Sequence, residues 1–296
     1  METAKRTARP KASADTVSAL ERGFALLHCF EVTAGPLSNG DLSKLTGIPK
    51  PTVTRLLHTL VTLGYLAPTP EADRYRLAAG SLRLARAFLG GLDLRAQARL
   101  HLSALANGIG GTSFLAMADG NDMVVVEACR SRTAILLMNS DVGSRLDMES
   151  SALGRAYLAA LLPAECAARV DAIVSAMPSA ASRPPEALPL PAGTGARRRQ
   201  LLAAIAETRR LGYAASIGSW HAEIFSVAVP ILTSTGDIIT LNAGGPAFAF
   251  PENHLRSKVA PDLQRAARAV AEEIGGTLPL QPEPSHRTAP HRTLHN

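Results

Sequence analysis

Apolar residues recur at helical spacing in three series along the first third of the chain. One series predicts a helix over residues 16–30 with this face buried: Val17, Leu20, Phe24, Leu27 and Phe30. Two more predict a helix pair within residues 37–66: Leu42 and Leu45, then Val53, Leu56, Leu57, Leu60 and Leu63. Three short helices in succession would form a small unit with one core.

Capping residues define the ends of the helix pair. Ser38 can cap the first of the two helices, with Asp41 three residues on, close to the capping-box pattern. Gly47 tolerates the left-handed backbone of a tight turn, and Pro51 suits the first turn of the next helix. Gly64 ends the series. An αα-hairpin in an unrelated helical domain is the alternative for this segment taken alone.

Two short β-rich runs follow the helix pair. Residues 65–67 and 74–77 predict antiparallel strands around a Pro-rich turn at residues 68–73. Three helices followed by a hairpin predict a winged helix-turn-helix over residues 16–79, which favours this fold over the unrelated hairpin.

Polar side chains on the predicted unit have the chemistry of a DNA-binding surface. Short donors and cations lie off the buried face of the third helix, where they suit a major groove: Lys50, Thr52, Thr54, Arg55 and His58. Arg74 and Arg76 share one face of the predicted wing and can reach phosphate, although a solvated strand face is the alternative. The formal net charge of the chain is +6, and no acid lies between Leu42 and Leu66.

The pattern changes after residue 79. Residues 80–91 predict a linker helix, and residues 92–275 predict a mixed α/β domain of five or six strands. This domain would contain helices near residues 94–110, 154–162, 197–211 and 260–274. Strands are expected at 112–129 (a hairpin around 119–122), 134–138, 224–232 and 237–243. Residues 178–195 read as a loosely held loop, and tails at 1–15 and 276–296 are predicted to be disordered.

Composition excludes several function classes. Cys29, Cys129 and Cys166 lie far apart among apolar neighbours, as expected for reduced thiols in a cytoplasmic protein. No apolar run is long enough to span a membrane, and no signal peptide is visible. No catalytic motif is found, and the IGGTS run at 109–113 lacks the end of a phosphate loop. The only local acid–base pair is His221 with Glu223, and His286, His291 and His295 fit a polar tail better than a metal site. We therefore expect no enzyme, cofactor or metal.

Over about residues 17–274 the sequence resembles the IclR family of transcription regulators. The resemblance is carried by SALERGFALLHCF, LSKLTGIPKPTVTRLLHTLVTLGYL and RYRLAAGSLRLA, and further on by ESSALGRAYLA, RRLGYAAS, EIFSVAVPI and LNAGGPAF. It implies an α+β chain with an N-terminal winged helix-turn-helix, a linker helix and a C-terminal GAF/PAS-like α/β effector-binding domain. It also implies dimers or tetramers on partly palindromic operator DNA.

The resemblance further implies an effector pocket in the second domain. The matching positions here are Ala152, Leu153, Gly154, Ser216, Ile224, Ser226, Asn242 and Gly244. Backbone amides at the start of a helix near Ala152 can hold a carboxylate, so the implied effector is a small organic acid or an aromatic metabolite. Glu223, Ser226, Asn242 and Gly244 depart from residues common in the family, so no specific effector carries over. Redox sensing through cysteine, or constitutive DNA binding with a merely structural second domain, remain alternatives.

Overall fold

The computed structural model describes residues 16–33, 35–71, 73–135, 140–178 and 181–280. Within it the chain divides into two compact units between Gly91 and Leu92. The predictions for residues 1–15 and 281–296 lie outside the described residues.

The described part of the first unit contains four helices, α1 (Ser18–Val32), α2 (Asn39–Thr46), α3 (Lys50–Thr62) and α4 (Ala79–Gly90). The predicted capping box forms, since the Asp41 N–H donates to Ser38 Oγ at 3.1 Å and the Ser38 N–H donates to Asp41 Oδ2 at 3.0 Å. Gly47 closes α2 at φ 69°, and proline lies in the first turn of α3. Local sequence therefore fixes the helix pair.

A three-stranded sheet completes the first unit. Strands β2 (Leu66–Pro68) and β3 (Arg74–Leu77) form the predicted hairpin, and β1 (Leu37–Ser38) adds to the other edge of β3. The pattern did not predict β1, because two residues carry no periodicity and its pairing with β3 is a long-range contact.

The core of the first unit differs in part from the predicted one. The buried residues of α1 are Leu26 and Cys29, and the predicted Leu27 and Phe30 are half-buried and pack on the same core. The prediction was wrong for Val17, Leu20 and Phe24, which are exposed. Leu45 and Leu63 are also exposed. The core joins residues from α1 to α3 and the strands: Leu26, Cys29, Leu37, Leu42, Ile48, Val53, Leu57, Leu60 and Leu66.

The second unit is an antiparallel six-stranded sheet with helices on both faces. The strands follow the order β6–β5–β4–β9–β8–β7. They are β4 (Thr112–Asp119), β5 (Asp122–Arg130), β6 (Arg145–Asp147), β7 (Ala214–His221), β8 (Ile224–Leu232) and β9 (Ile238–Pro246). The helices are α5 (Asp93–Ile109), α6 (Ala152–Ala160), α7 (Pro163–Ser175), α8 (Thr194–Leu211), α9 (Glu252–His254) and α10 (Ala260–Glu273). A π-helical turn, Leu255–Val259, joins α9 to α10.

Alternate residues of β4 contact different helices. Ser113 donates to the Leu102 carbonyl of α5 at 2.8 Å, while Ala116 packs in a core with α6, α7 and α8. Helix α6 therefore covers the sheet face opposite α5, and its first turn lies over β7, β8 and β9. This arrangement positions the cavity described below.

Four predictions in this unit need correction. Ala134 and Ile135 are not in a strand, and residues 136–138 of the predicted strand lie outside the described residues. Strands β6 and β7 and helix α7 were not predicted. The loop before α8 is firmly held where described, as shown below. Residues 276–280, predicted as part of a disordered tail, are instead held on the domain, because Thr277 pairs with Leu232 and Leu280 packs on the core. Among the described residues no helix is long and apolar enough to cross a membrane.

Candidate nucleic-acid interface and ligand cavity

The outer face of α3 presents the predicted DNA-binding residues together. Lys50, Thr54, Arg55 and His58 are exposed and Thr52 is half-buried, while Val53, Leu57 and Leu60 hold the opposite face in the core. The side chains of Lys50, Arg55 and His58 make no hydrogen bond or ion pair with any residue that the structure describes. These three side chains are available to an external partner.

The two wing arginines differ. Arg74 donates to the Pro36 carbonyl at 2.8 Å and lies 3.9 Å from Asp41, so it ties β3 to the start of α2. The side chain of Arg76 is exposed and makes no polar contact within the described ranges. Arg76 is therefore the wing cation available for phosphate, and Arg74 has an internal role.

A cavity of about 60 Å³ lies between the sheet and the first turn of α6. Seven of the eight predicted pocket residues line it: Ala152, Leu153, Ser216, Ile224, Ser226, Asn242 and Gly244. Gly154 does not line it. A Cβ atom on Gly154 would lie 2.1 Å from Met148 Cα, so glycine is needed there for close backbone packing.

Strand register explains why distant residues meet on the cavity floor. Ser216 pairs with Ser226, Ser226 with Gly244, and Gly244 with Thr112, so these four form one row across β7, β8, β9 and β4. Side chains of paired residues lie on the same sheet face. Gly244 is required by the neighbouring strand, because a Cβ there would lie 2.3 Å from the Phe225 carbonyl oxygen.

Four polar groups at the cavity lack a partner among the described residues. They are the Asn242 side-chain amide, the Ser226 hydroxyl and the backbone N–H groups of Ala152 and Leu153. The two N–H groups belong to the first turn of α6, where no intrahelical acceptor exists. Ser151 caps this turn by accepting from the Gly154 N–H at 3.1 Å. The Ser216 hydroxyl, by contrast, donates to the Ser150 carbonyl at 3.0 Å.

Several lining residues were not predicted. Phe114, Leu146 and Trp220 supply apolar walls, and Arg130 supplies a cation that also contacts Asp141 at 3.2 Å. Thr112 and Phe114 reach the cavity only because β4 lies beside β9, which is not visible from sequence order. Trp220 is the only tryptophan of the chain, and that rarity was the one signal available.

The loop before α8 is anchored beside this cavity. The Ser182 carbonyl accepts from Trp220 Nε1 at 3.0 Å and from the Asp147 N–H at 3.1 Å. Arg183 donates to Ser150 Oγ at 2.8 Å and to Asp147 Oδ2 at 3.3 Å. Burial raises the pKa of Asp147, opposed by its hydrogen bonds from Ser150. These contacts connect the loop to the residues immediately before α6.

The family model of the IclR helix-turn-helix domain matches residues 19–70, and that of the bacterial transcriptional regulator IclR C-terminal domain matches residues 86–272. The chain belongs to the IclR family. It is 27% identical to the HTH-type transcriptional regulator XynR of Escherichia coli K12, over 88% of this chain and 98% of that one.

Solved structures agree with this assignment. An IclR-family regulator from Brucella abortus is 31% identical, with a TM-score of 0.76 over 91% of this chain and 97% of that chain. A Microbacterium hydrocarbonoxydans IclR homologue, solved with 4-hydroxybenzoate, has a TM-score of 0.65 and 24% identity over 87% of this chain and 99% of its own. The second similarity establishes a shared fold. The IclR relatives are named as regulators and not as enzymes, which fits a non-enzymatic DNA-binding protein.

The thiols of this IclR-family chain are sequestered. Cys29, Cys129 and Cys166 are unpaired and buried, and burial raises the pKa of each thiol. A raised pKa lowers the thiolate fraction on which oxidation depends.

Proposed function

We propose that this IclR-family regulator binds partly palindromic operator DNA as a dimer or tetramer, and that a small organic acid or aromatic metabolite in the cavity modulates this binding. The observation that carries the effector assignment is the convergence of unpartnered hydrogen-bonding groups on one cavity. Ligand cavities are mostly apolar with a few polar groups that fix the ligand, so four hydrogen-bonding groups without a protein partner at one cavity suit a polar ligand.

The chemistry of the cavity favours a carboxylate. The N–H groups of Ala152 and Leu153 lie at the positive end of α6, where an anion is stabilised. Asn242 and Ser226 supply further hydrogen bonds, while Phe114 and Trp220 suit a carbon skeleton. A cavity of about 60 Å³ fits a short-chain acid. An aromatic acid would need the walls to move, since benzene fits an apolar cavity of roughly 150 Å³.

Because the thiols are buried and their pKa values are raised, regulation by a ligand is favoured over redox sensing. The cavity with its polar groups favours regulation by a ligand over a second domain with a merely structural role. An effector acts only if it binds two arrangements of the protein with different affinity, commonly by about 1–3 kcal/mol. We propose that these arrangements differ in the spacing of the two DNA-binding units of a dimer.

Selection from random duplex DNA with the full-length protein tests the DNA assignment. We expect an enriched, partly palindromic sequence whose binding Arg55→Ala abolishes. Arg210→Ala removes an equally exposed arginine from α8 and should leave specific binding unchanged. Retention of specific binding by Arg55→Ala would refute the recognition role of α3.

A thermal-shift screen of short-chain carboxylates and 4-hydroxybenzoate tests the cavity. A ligand should raise the melting temperature and change operator affinity, and Asn242→Leu should remove both effects while leaving DNA binding without ligand intact. Asn107→Leu, at an exposed site on α5, is the matched control. An unchanged ligand response in Asn242→Leu would place the effector elsewhere.

Exposed apolar side chains support the homo-oligomer. Leu20 and Phe24 lie on α1, directly after the exposed Val17, and Leu82 and Phe88 lie on α4, all substantially exposed in the single chain. A second copy would remove this surface from water. Light scattering with size-exclusion chromatography should therefore show a dimer or tetramer, and Leu20→Lys with Phe88→Lys should lower its mass. A monomeric wild type would contradict this part of the proposal.

A further inference from the structure

The Thr54 hydroxyl donates its only proton to an acceptor within the first unit. Its proton goes to the Lys50 carbonyl at 3.1 Å, one turn earlier in α3. The same oxygen accepts a hydrogen bond from Asn39 Nδ2, in the first turn of α2, at 2.8 Å. A threonine hydroxyl has a single proton to donate, so Thr54 has none left for a base edge or a phosphate.

The geometry points to Thr54 as a reader of thymine through its methyl group, with Asn39 as the residue that holds it in position. This inference rests on the proposed binding of DNA by α3. Two hydrogen bonds fix the oxygen toward α2 and the preceding turn, yet the side chain remains exposed on the outer face. The methyl group is then the part presented outward. In the major groove the 5-methyl group of thymine is the natural partner of a threonine methyl.

The neighbours of Thr54 support a base contact. Lys50 and His58 are one turn away on either side, and Arg55 is adjacent, so Thr54 lies at the centre of the exposed polar face. The N-terminal half of a recognition helix is the part that reaches base edges. Thr59 and Thr62 also donate to carbonyls one turn earlier, to Arg55 at 3.0 Å and His58 at 2.9 Å, but neither accepts from α2 among the described residues.

The position of the Asn39 side chain is energetically unfavourable in one respect. Its Oδ1 atom is buried and has no hydrogen-bond partner within the residues that the structure describes. An unpaired buried amide oxygen is unfavourable, so its retention calls for a compensating role. Fixing the Thr54 side chain across the turn between α2 and α3 provides one.

The test replaces single thymines of the selected operator by deoxyuridine, which removes only the methyl group. Affinities are measured by fluorescence anisotropy with full-length protein at fixed salt. With wild type, one thymine in each half-site should show a loss of about fourfold on replacement, the effect of one methyl group leaving an apolar contact. Thr54→Ser should bind the thymine operator about fourfold more weakly and show no further loss with uracil at that position.

Two other variants separate the methyl from the hydroxyl. Thr54→Val keeps the outward methyl and should retain the affinity and the uracil penalty. Asn39→Ala leaves Thr54 in place but releases its hydroxyl, so the uracil penalty should shrink. Melting temperatures verify folding, and if Thr54→Val does not fold, the comparison of wild type with Thr54→Ser decides alone.

The possible failures are distinguishable. If Thr54→Ser keeps the full uracil penalty, or if folded Thr54→Val loses the preference, the methyl assignment is wrong while α3 still binds DNA. If selection with wild type enriches no sequence, or if Arg55→Ala still binds specifically, the proposed DNA reading by α3 fails first.

Discussion

The indole N–H of Trp220 donates to the Ser182 carbonyl at 3.0 Å, and this bond joins a wall of the cavity to the loop that precedes α8. The same carbonyl accepts from the N–H of Asp147, which lies four residues before Ser151, the N-cap of α6. The ring of Trp220 is therefore fixed by its polar edge, and its apolar surface is what remains for a ligand.

Replacing Trp220 by phenylalanine tests this arrangement. The variant keeps an aromatic wall but loses the N–H donor, and the Ser182 carbonyl retains the Asp147 N–H as a partner. We expect the free energy of unfolding to fall by about 1 kcal/mol, the net value of one such bond. Urea denaturation followed by far-UV circular dichroism measures it.

Ligand binding gives a second readout for the same residue. Since the chain has a single tryptophan, a cavity ligand should change its emission in the wild type, and the signal should vanish in Trp220→Phe. A ligand that shifts the melting temperature yet leaves the tryptophan emission unchanged would place the binding site away from Trp220.

A buried ion pair holds the segment that leads into α6. Arg197 of α8 donates to Glu149 through Nε at 2.9 Å and Nη2 at 2.5 Å, and also reaches the carbonyls of Ile173 and Val174. Arg197→Met should lower the free energy of unfolding by about 3–5 kcal/mol, because Glu149 is left buried without its cation. Adding Glu149→Leu should recover part of the loss.

The neighbouring Arg198 is the matched control for that prediction. It contacts Asp171 at 2.8 Å with both side chains about half exposed, so Arg198→Met should cost less than about 1 kcal/mol. Equal losses for Arg197→Met and Arg198→Met in urea melts would show that burial of the first pair is energetically unimportant.

The sequence predicted elements set by contacts between nearby residues better than elements set by contacts between residues far apart in the chain. The ends of α2 and α3 follow from Ser38, Gly47 and Pro51, which act within a few residues, and these predictions were confirmed. The predicted buried face of α1 was wrong in its first half, where Val17, Leu20 and Phe24 are exposed. Leu26 and Cys29 also fit helical spacing, and only tertiary packing selects which apolar residues are buried. The local pattern of apolar residues shows that a helix has an apolar face, but not which of its residues pack against other elements.

The cavity shows the same limit. Seven of the residues taken from the family resemblance line one cavity, and their role in binding an effector stays a prediction, whereas the lining residues Phe114 and Trp220 were missed. Phe114 pairs with Asn242 across β4 and β9, strands more than a hundred residues apart in sequence. Trp220 follows a bulge at Gly218, φ 72°, that turns the strand locally. Neither pairing nor bulge has a signature in a single sequence.

Gly154 was predicted for the pocket, but the structure gives it a packing role. Gly154→Ala would place a Cβ atom 2.1 Å from Met148 Cα, and both partners are backbone-constrained. We expect a loss of about 2 kcal/mol or more in unfolding free energy. Gly108→Ala in α5, where a Cβ meets nothing within 4 Å, should instead stabilise by about 0.5–1 kcal/mol. Thermal and urea melts of the pair measure the contrast, which a stable Gly154→Ala would contradict.

The capping box of α2 should make the first unit sensitive to acid. Hydrogen bonds from the Ser38 hydroxyl and then the Ser38 N–H hold the pKa of Asp41 below its ordinary value. A carboxyl whose pKa is lower in the folded state stabilises it above the unfolded pKa of about 3.9, and this contribution is lost as pH falls through the folded value. Asp41→Asn removes the titration. The wild type should therefore be more stable than Asp41→Asn at pH 7, and the difference should shrink as the pH falls below about 4.

Thermal unfolding by circular dichroism measures the difference in stability between wild type and Asp41→Asn. Hydrogen exchange of peptides within residues 37–46 shows whether the loss of stability lies in the first unit. Asp73→Asn is the control, because Asp73 is an exposed carboxylate that makes no hydrogen bond among the described residues. Asp73→Asn changes the net charge by the same amount as Asp41→Asn, so it measures the effect of net charge alone on stability. A stability difference between wild type and Asp41→Asn that stays constant from pH 7 to pH 2 would show that the lowered pKa of Asp41 does not contribute to folding.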